Sequence, residues 1–195
     1  MAKSDPAARK RERQKAARWV VTIFFVTILI SGCISFFSDI IMSGSTMVVA
    51  FLILLAIILI GIVFDIIGMA VATADEKPFH SMAARKVPGA QESIALLRNA
   101  ERVSSICNDV VGDICGVVSG SASATIAAQI LANFEFGWPQ IVSLAMSALA
   151  AGLTVGGKAI GKSIAVNSCT FIVHTVGRIL YSLNRFPKCF RNKKK

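Results

Sequence analysis

Charge is scarce in this chain: of 195 residues, only 16% are Asp, Glu, Lys or Arg, while 54% are hydrophobic. That balance excludes an ordinary soluble domain of this size and points to an integral membrane protein. Acidic residues are scarcer than basic ones, 11 against 21, so a nucleic-acid partner has to be weighed. The basic residues are not spread over a surface, however. Seven of them fall in residues 1–18, and the run stops where an apolar segment begins, as it does at the cytoplasmic flank of a membrane helix. Lipid headgroups are therefore the expected partner, and nucleic acid is not. There are two histidines and five cysteines, with no C-x-x-C pair and no Cys–His spacing that suits zinc, which argues against a zinc site and a disulfide framework. No nucleophile and base pair stands out, so no enzyme is expected.

A nucleotide site is excluded by what surrounds its motif. Gly156 to Ser163 reads G-G-K-A-I-G-K-S and satisfies the phosphate-loop pattern, but that loop works when a buried strand delivers it to a helix N-terminus. Here the motif follows an apolar helix, and no strand pattern occurs in the chain.

The apolar runs are long enough to cross about 30 Å of hydrocarbon. Residues 1–18 read as a solvated or headgroup-bound basic tail. Trp19 to Phe37 is uncharged and opens on an interfacial tryptophan, giving a first span. Ile30-Ser31-Gly32-Cys33 inside it is similar to the cleavage box of a lipoprotein signal, which leaves lipidation at Cys33 as a rival reading. A second span begins near residue 46 and continues to Thr73. Residues 74–102 turn polar around Pro88-Gly89 and predict a helical hairpin lying on the membrane, with Ile94 and Leu97 as its apolar edge. A third span covers about Val103 to Phe134, and a fourth Ile141 to about Ile164. Residues 165–195 place Ile172, Val176, Ile179, Leu180 and Leu183 along an interfacial amphipathic helix that ends in a basic tail. The expected fold is therefore all-α: four transmembrane helices, a cytoplasmic hairpin and a C-terminal interfacial helix. Its parts are the tail 1–18, an extra N-terminal span 19–37, a three-helix membrane domain 46–164 and the amphipathic segment 165–195.

Seven basic residues precede the first span, five lie between the second and third, and nine lie from Lys158 onward, which accounts for all 21. The other two loops have none, so the positive-inside rule predicts a multi-pass cell-membrane protein with both termini cytoplasmic.

Cys107 to Gly120, C-N-D-V-V-G-D-I-C-G-V-V-S-G, organises the rest. Asp109 and Asp113 are four apart and share a helix face, which continues through Gly116 and Gly120 with Gly112 beside it. These glycines are expected to let another helix approach closely. An acid at membrane depth costs about 2.5–3.5 kcal/mol by insertion scales, so the acids are expected either to be used or to be paired with cations. Reaching water from a helix end is the bland alternative. Asp65, Asn108, Asp109 and Asp113 fall in the inner half of their spans, as does Lys158. Their hard oxygen donors suit magnesium or calcium; a salt-bridged cluster that only fixes packing, with Lys158 neutralising one acid, suits the residues equally.

Several segments also resemble the membrane domain of the cyclin-M and CorC family of magnesium and cobalt transport proteins. Phe64 to Thr73, F-D-I-I-G-M-A-V-A-T, is similar to that family's F-S-A-S-E-x-A-L-x-S. Leu96 to Ser105, L-L-R-N-A-E-R-V-S-S, resembles L-L-x-x-P-E-R-F-L-S, and Asn108-Asp109 its paired asparagines, although another register puts Asp113 there. Gly157 to Ala165, G-K-A-I-G-K-S-I-A, is similar to G-E-I-x-P-K-T-x-A. The resemblance covers roughly two-thirds of the chain and implies a homodimer handling a divalent cation such as magnesium. In this chain Asp65 stands at a serine position, Gly68 replaces one glutamate and Lys158 another, and the resemblance does not extend to the family's nucleotide-sensing domains. The runner-up is a non-transporting scaffold that assembles with another membrane protein.

Overall fold

The computed structural model describes the backbone of residues 6–133 and 138–191, with side chains for 18–38, 40–41, 44–133 and 138–183. Among the described residues every element is helical. In order they are α1 (Pro6–Ser43), α2 (Met47–Thr73), α3 (Lys77–Ala84), α4 (Ala90–Arg98), α5 (Ala100–Ser105), a π-helical segment (Ile106–Gly112), α6 (Asp113–Asn133), α7 (Pro139–Asn167) and α8 (Cys169–Arg191). Four stretches are long and apolar enough to cross a membrane: Arg18–Ser38, Met47–Thr73, Ala100–Asn133 and Pro139–Asn167. By length and composition this is a multi-pass membrane protein.

Local chemistry sets the helix ends. Thr46 and Ala74 are extended and bracket α2, where the apolar run meets Ser45 on one side and Asp75-Glu76-Lys77-Pro78 on the other. Pro78 and Pro139 sit in the first turns of α3 and α7, where no intrahelical N–H is needed. The turn between α3 and α4 uses two left-handed residues, Lys86 with φ 57° and Gly89 with φ 89°. Gly89 also lies so close to α8 that a Cβ there would meet the Arg178 backbone nitrogen at 2.6 Å.

α2, α6 and α7 pack on one another, and α1 leans mainly on α6. Toward one end α2 and α6 bury Ala50, Leu54, Ile58, Ala122 and Ile126. The small-residue half of the third span is packed along one face, with Val118, Ser119, Ala122 and Ser123 buried. Ser119 and Ser123 satisfy their hydroxyls on the Gly116 and Gly120 carbonyls at 2.8 Å. Outside the contacts the bundle is apolar all round, with Phe24, Leu29, Leu52, Val117, Leu144 and Ile160 exposed, the surface a lipid solvent requires. None of the apolar window of α1 is buried; its links to the body include Ile23 against the Val110–Ile114–Val118 cluster and the Trp19 ring beneath the Arg102 guanidinium at 5.4 Å.

Three expectations change. From Pro6 the basic segment is helical and continuous with the first span, and the helix runs on through Cys33 to Ser43. The hairpin does not present its apolar edge outward; it folds onto the end of the bundle. Phe79 and Leu97 join Ala70 and Val71 of α2, Ala165 of α7 and Val173 of α8 in one core, with Ile94 and Ile172 against it. Phe79 is fully buried because it enters between the ends of three longer helices. α8 divides its apolar residues: Val173 is buried and Ile172, Val176 and Leu180 are half-buried on the body, while Phe171, Ile179 and Leu183 are exposed. Ser93 fastens this junction, its hydroxyl donating to the Gly89 carbonyl at 2.8 Å and lying 3.2 Å from that of Val173. The loop expected at Glu135, the side chains of residues 1–17 and those of residues 184–195 lie outside the described residues.

Candidate functional site

The charged residues singled out by sequence meet in one place. A cleft of about 320 Å³ is lined by Asp65 and Met69 of α2, Asn108 and Asp109 of the π-helical segment, Asp113 of α6, and Lys158 and Lys162 of α7. By helical rise, Asp65 lies about 12 Å from the Thr73 end of α2 and Lys158 about 13 Å from the Asn167 end of α7, so both stand well inside the apolar part of their helices. Three acids against two lysines leave one net negative charge in the lining.

Asp65 is the buried member, 9% exposed. The Lys158 ammonium stands 3.4 Å from its Oδ1, which supplies the counter-charge a carboxylate needs at this depth. The other two acids are exposed on the cleft wall. Asp109 accepts a hydrogen bond from the Ser105 hydroxyl at 2.8 Å. Among the described residues Asp113 and Lys162 have no ion-pair partner within 4 Å. Asn108 donates through Nδ2 to the Ser104 hydroxyl at 3.2 Å, while its buried Oδ1 has no donor among the described residues and faces Gly68, where any Cβ would collide with it. A buried side-chain oxygen without a donor is uncommon in folded proteins, and a water molecule or an ion can satisfy one. Among the described residues no three His, Cys, Asp or Glu side chains converge closely enough to hold a metal ion between them. The acids share a cleft without forming a cage.

The backbone here is the part sequence did not disclose. Residues Ile106–Gly112 are π-helical, with one more residue per hydrogen-bonded ring than an α-helix, and such segments recur at functional sites. The extra residue changes which side chains align. Gly112, expected beside a packing face that includes Gly116 and Gly120, is buried toward α2, where a Cβ would lie 2.6 Å from Asp65 Oδ1. A Cβ at Gly116 or Gly120 would meet nothing within 4 Å; within the chain these two line a shallow groove with Ser147, Ala150 and Thr154 of α7. The close helix contacts fall elsewhere. Gly61 of α2 sits against Cys115, and Gly157 and Gly161 of α7 sit against Ile62 and Ile66.

The phosphate-loop pattern at 156–163 lies wholly inside α7, so its amides are used by the helix and cannot cradle a phosphate. His80 pairs with Glu76 at 3.3 Å on the exposed face of α3. His174 of α8 is half-buried, and its buried Nε2 has no hydrogen-bond partner among the described residues. No family model matches the chain, and no curated protein or solved structure matches it either.

Proposed function

We propose that this is a multi-pass membrane protein whose charged cleft, on the cytoplasmic side, takes a divalent cation such as magnesium, with the Lys158 ammonium as the resting counter-ion of Asp65. The observation that carries the reading is the donorless, buried Oδ1 of Asn108 on a residue that lines a cleft with three carboxylates. Magnesium suits such a lining better than a cage-seeking ion, because it dehydrates reluctantly, keeps several waters and uses one or two carboxylates. At ~30 Å³ per water, six waters need roughly 180 Å³, so the cleft of about 320 Å³ has room for a hydrated ion. Asp109 and Asp113, exposed to the cleft and without an ammonium partner among the described residues, would be the first contacts, and Asp65 and Asn108 the inner ones. The resemblance to the cyclin-M and CorC membrane domain supports the same chemistry and adds a homodimer. The distribution of basic residues supports cytoplasmic termini, with α8 and the hairpin at that surface.

A second reading follows from the 3.4 Å Asp65–Lys158 pair: a scaffold whose charges only tie α2 to α7. Titration calorimetry with magnesium chloride separates the two. Saturable binding to the parent, weakened by Asp109→Asn and unaffected by Glu76→Gln in the hairpin, supports the cation reading. No binding at millimolar magnesium contradicts it.

A further inference from the structure

We infer that Gly112 is a positioning residue for the Asp65–Lys158 pair: the missing side chain at 112 leaves the space in which the carboxylate and the ammonium meet. The glycines of this bundle are not alike. A Cβ at Gly61 would press on Cys115, and one at Gly161 on Ile66, so these serve apolar helix packing. A Cβ at Gly112 would instead lie 2.6 Å from Asp65 Oδ1 and 3.3 Å from Lys158 Nζ, touching both partners of the pair at once. Carbon in comfortable contact stands about 3.5–4.0 Å away, so the carboxylate oxygen would have to retreat by roughly 1 Å. The pair is loosely held to begin with. Its 3.4 Å separation already exceeds the roughly 2.7–2.9 Å of a tight charge-assisted hydrogen bond. Asp65 has a short, buried side chain that can turn its oxygen aside but not follow the lysine, whereas Lys158 is half-buried at the end of a flexible stem. The ammonium is the group that leaves. Gly112 therefore decides whether Lys158 occupies Asp65, and, resting on the cation reading above, whether that acid is free to help hold an incoming ion.

The test uses the full-length protein in detergent and an amine-acetylating reagent, with acetylation at Lys158 read by peptide mass spectrometry. Gly112→Ala should raise Lys158 labelling several-fold, to the level of Asp65→Ala. Adding Gly112→Ala to Asp65→Ala should change it no further, because the oxygen in the way has gone. Gly61→Ala is the packing control and should leave Lys158 labelling at the parent value. Unchanged labelling in Gly112→Ala, or an equal rise in Gly61→Ala, overturns the assignment. If Gly112→Ala alone does not fold, the double variant with Asp65→Ala must fold; its failure also overturns the assignment. Magnesium titration of the same variants is read separately. Several-fold tighter binding in Gly112→Ala supports the link to the cleft, and raised labelling with unchanged binding overturns that link while leaving the positioning role. Absence of binding in every protein, parent included, removes the cation reading and not the labelling result.

Discussion

At the scale of single residues, burial separates side chains that look alike in sequence. Phe79 and Phe171 both neighbour a histidine or threonine in a polar context, yet Phe79 is fully buried and Phe171 is 72% exposed. Phe79→Ala should cost about 3–5 kcal/mol through lost transfer energy and an unfilled cavity, whereas Phe171→Ala should stay within about 0.5 kcal/mol in detergent. Thermal denaturation of the two variants checks this, and equal shifts would refute the core at the hairpin junction. Sequence placed Asp65, Asn108, Asp109, Asp113 and Lys158 at one depth, because charge is rare in apolar spans and helical rise converts position into depth. It did not place Phe79, because nothing local marks a side chain that is buried by α2, α7 and α8 together. Ser93 was equally silent: its hydroxyl is held by a carbonyl 80 residues away.

At the scale of elements, long apolar runs made α2, α6 and α7 legible, with α2 ending where Asp75-Glu76 begins and α7 starting at Pro139. The π-helical segment was not legible. A 3.6-residue wheel assigned Gly112, Gly116 and Gly120 to one packing surface, and the added residue per ring moves Gly112 to the charge pair while Gly116 and Gly120 open onto a groove. α8 shows the same lesson in milder form. Its periodicity was read as one apolar face for lipid, but two surfaces compete for it, and the body takes Val173 and Leu180 while Phe171, Ile179 and Leu183 remain outside. If that outer edge rests among lipid headgroups, tryptophan fluorescence of Ile179→Trp in vesicles should be quenched more by lipids brominated near the glycerol than by those brominated at the chain ends. Tryptophan at Val173, facing the core, should respond to neither, after correction for Trp19 and Trp138. Equal, negligible quenching at both positions would place α8 away from the bilayer surface.

For the whole molecule, the charge distribution and the fold describe the same polarity. The basic loop, the hairpin, α8 and the charged cleft gather at one end of the bundle, and the opposite end is bounded by the apolar starts of α2 and α7. The cleft's parts come from the chain's separate halves, Asp65 before the hairpin and Lys158 after the third span, so the site exists only when α2, α6 and α7 are assembled. Removing one partner of the inner pair therefore tests assembly and chemistry together: Lys158→Met leaves Asp65 buried without a counter-charge, a change that costs on the order of 3–5 kcal/mol for a buried pair and less where the lysine is partly exposed. A bound ion stabilises only the folded state, by an amount that grows with its concentration over its Kd. The decisive measurement is the thermal midpoint of parent and Lys158→Met across a magnesium series, with the same series in potassium as control. A cation site of this kind gives Lys158→Met a lower midpoint without magnesium and a larger magnesium-dependent rise than in the parent. Parallel curves, or a rise reproduced by potassium at equal ionic strength, would contradict a cation site in which Lys158 holds the place of the ion.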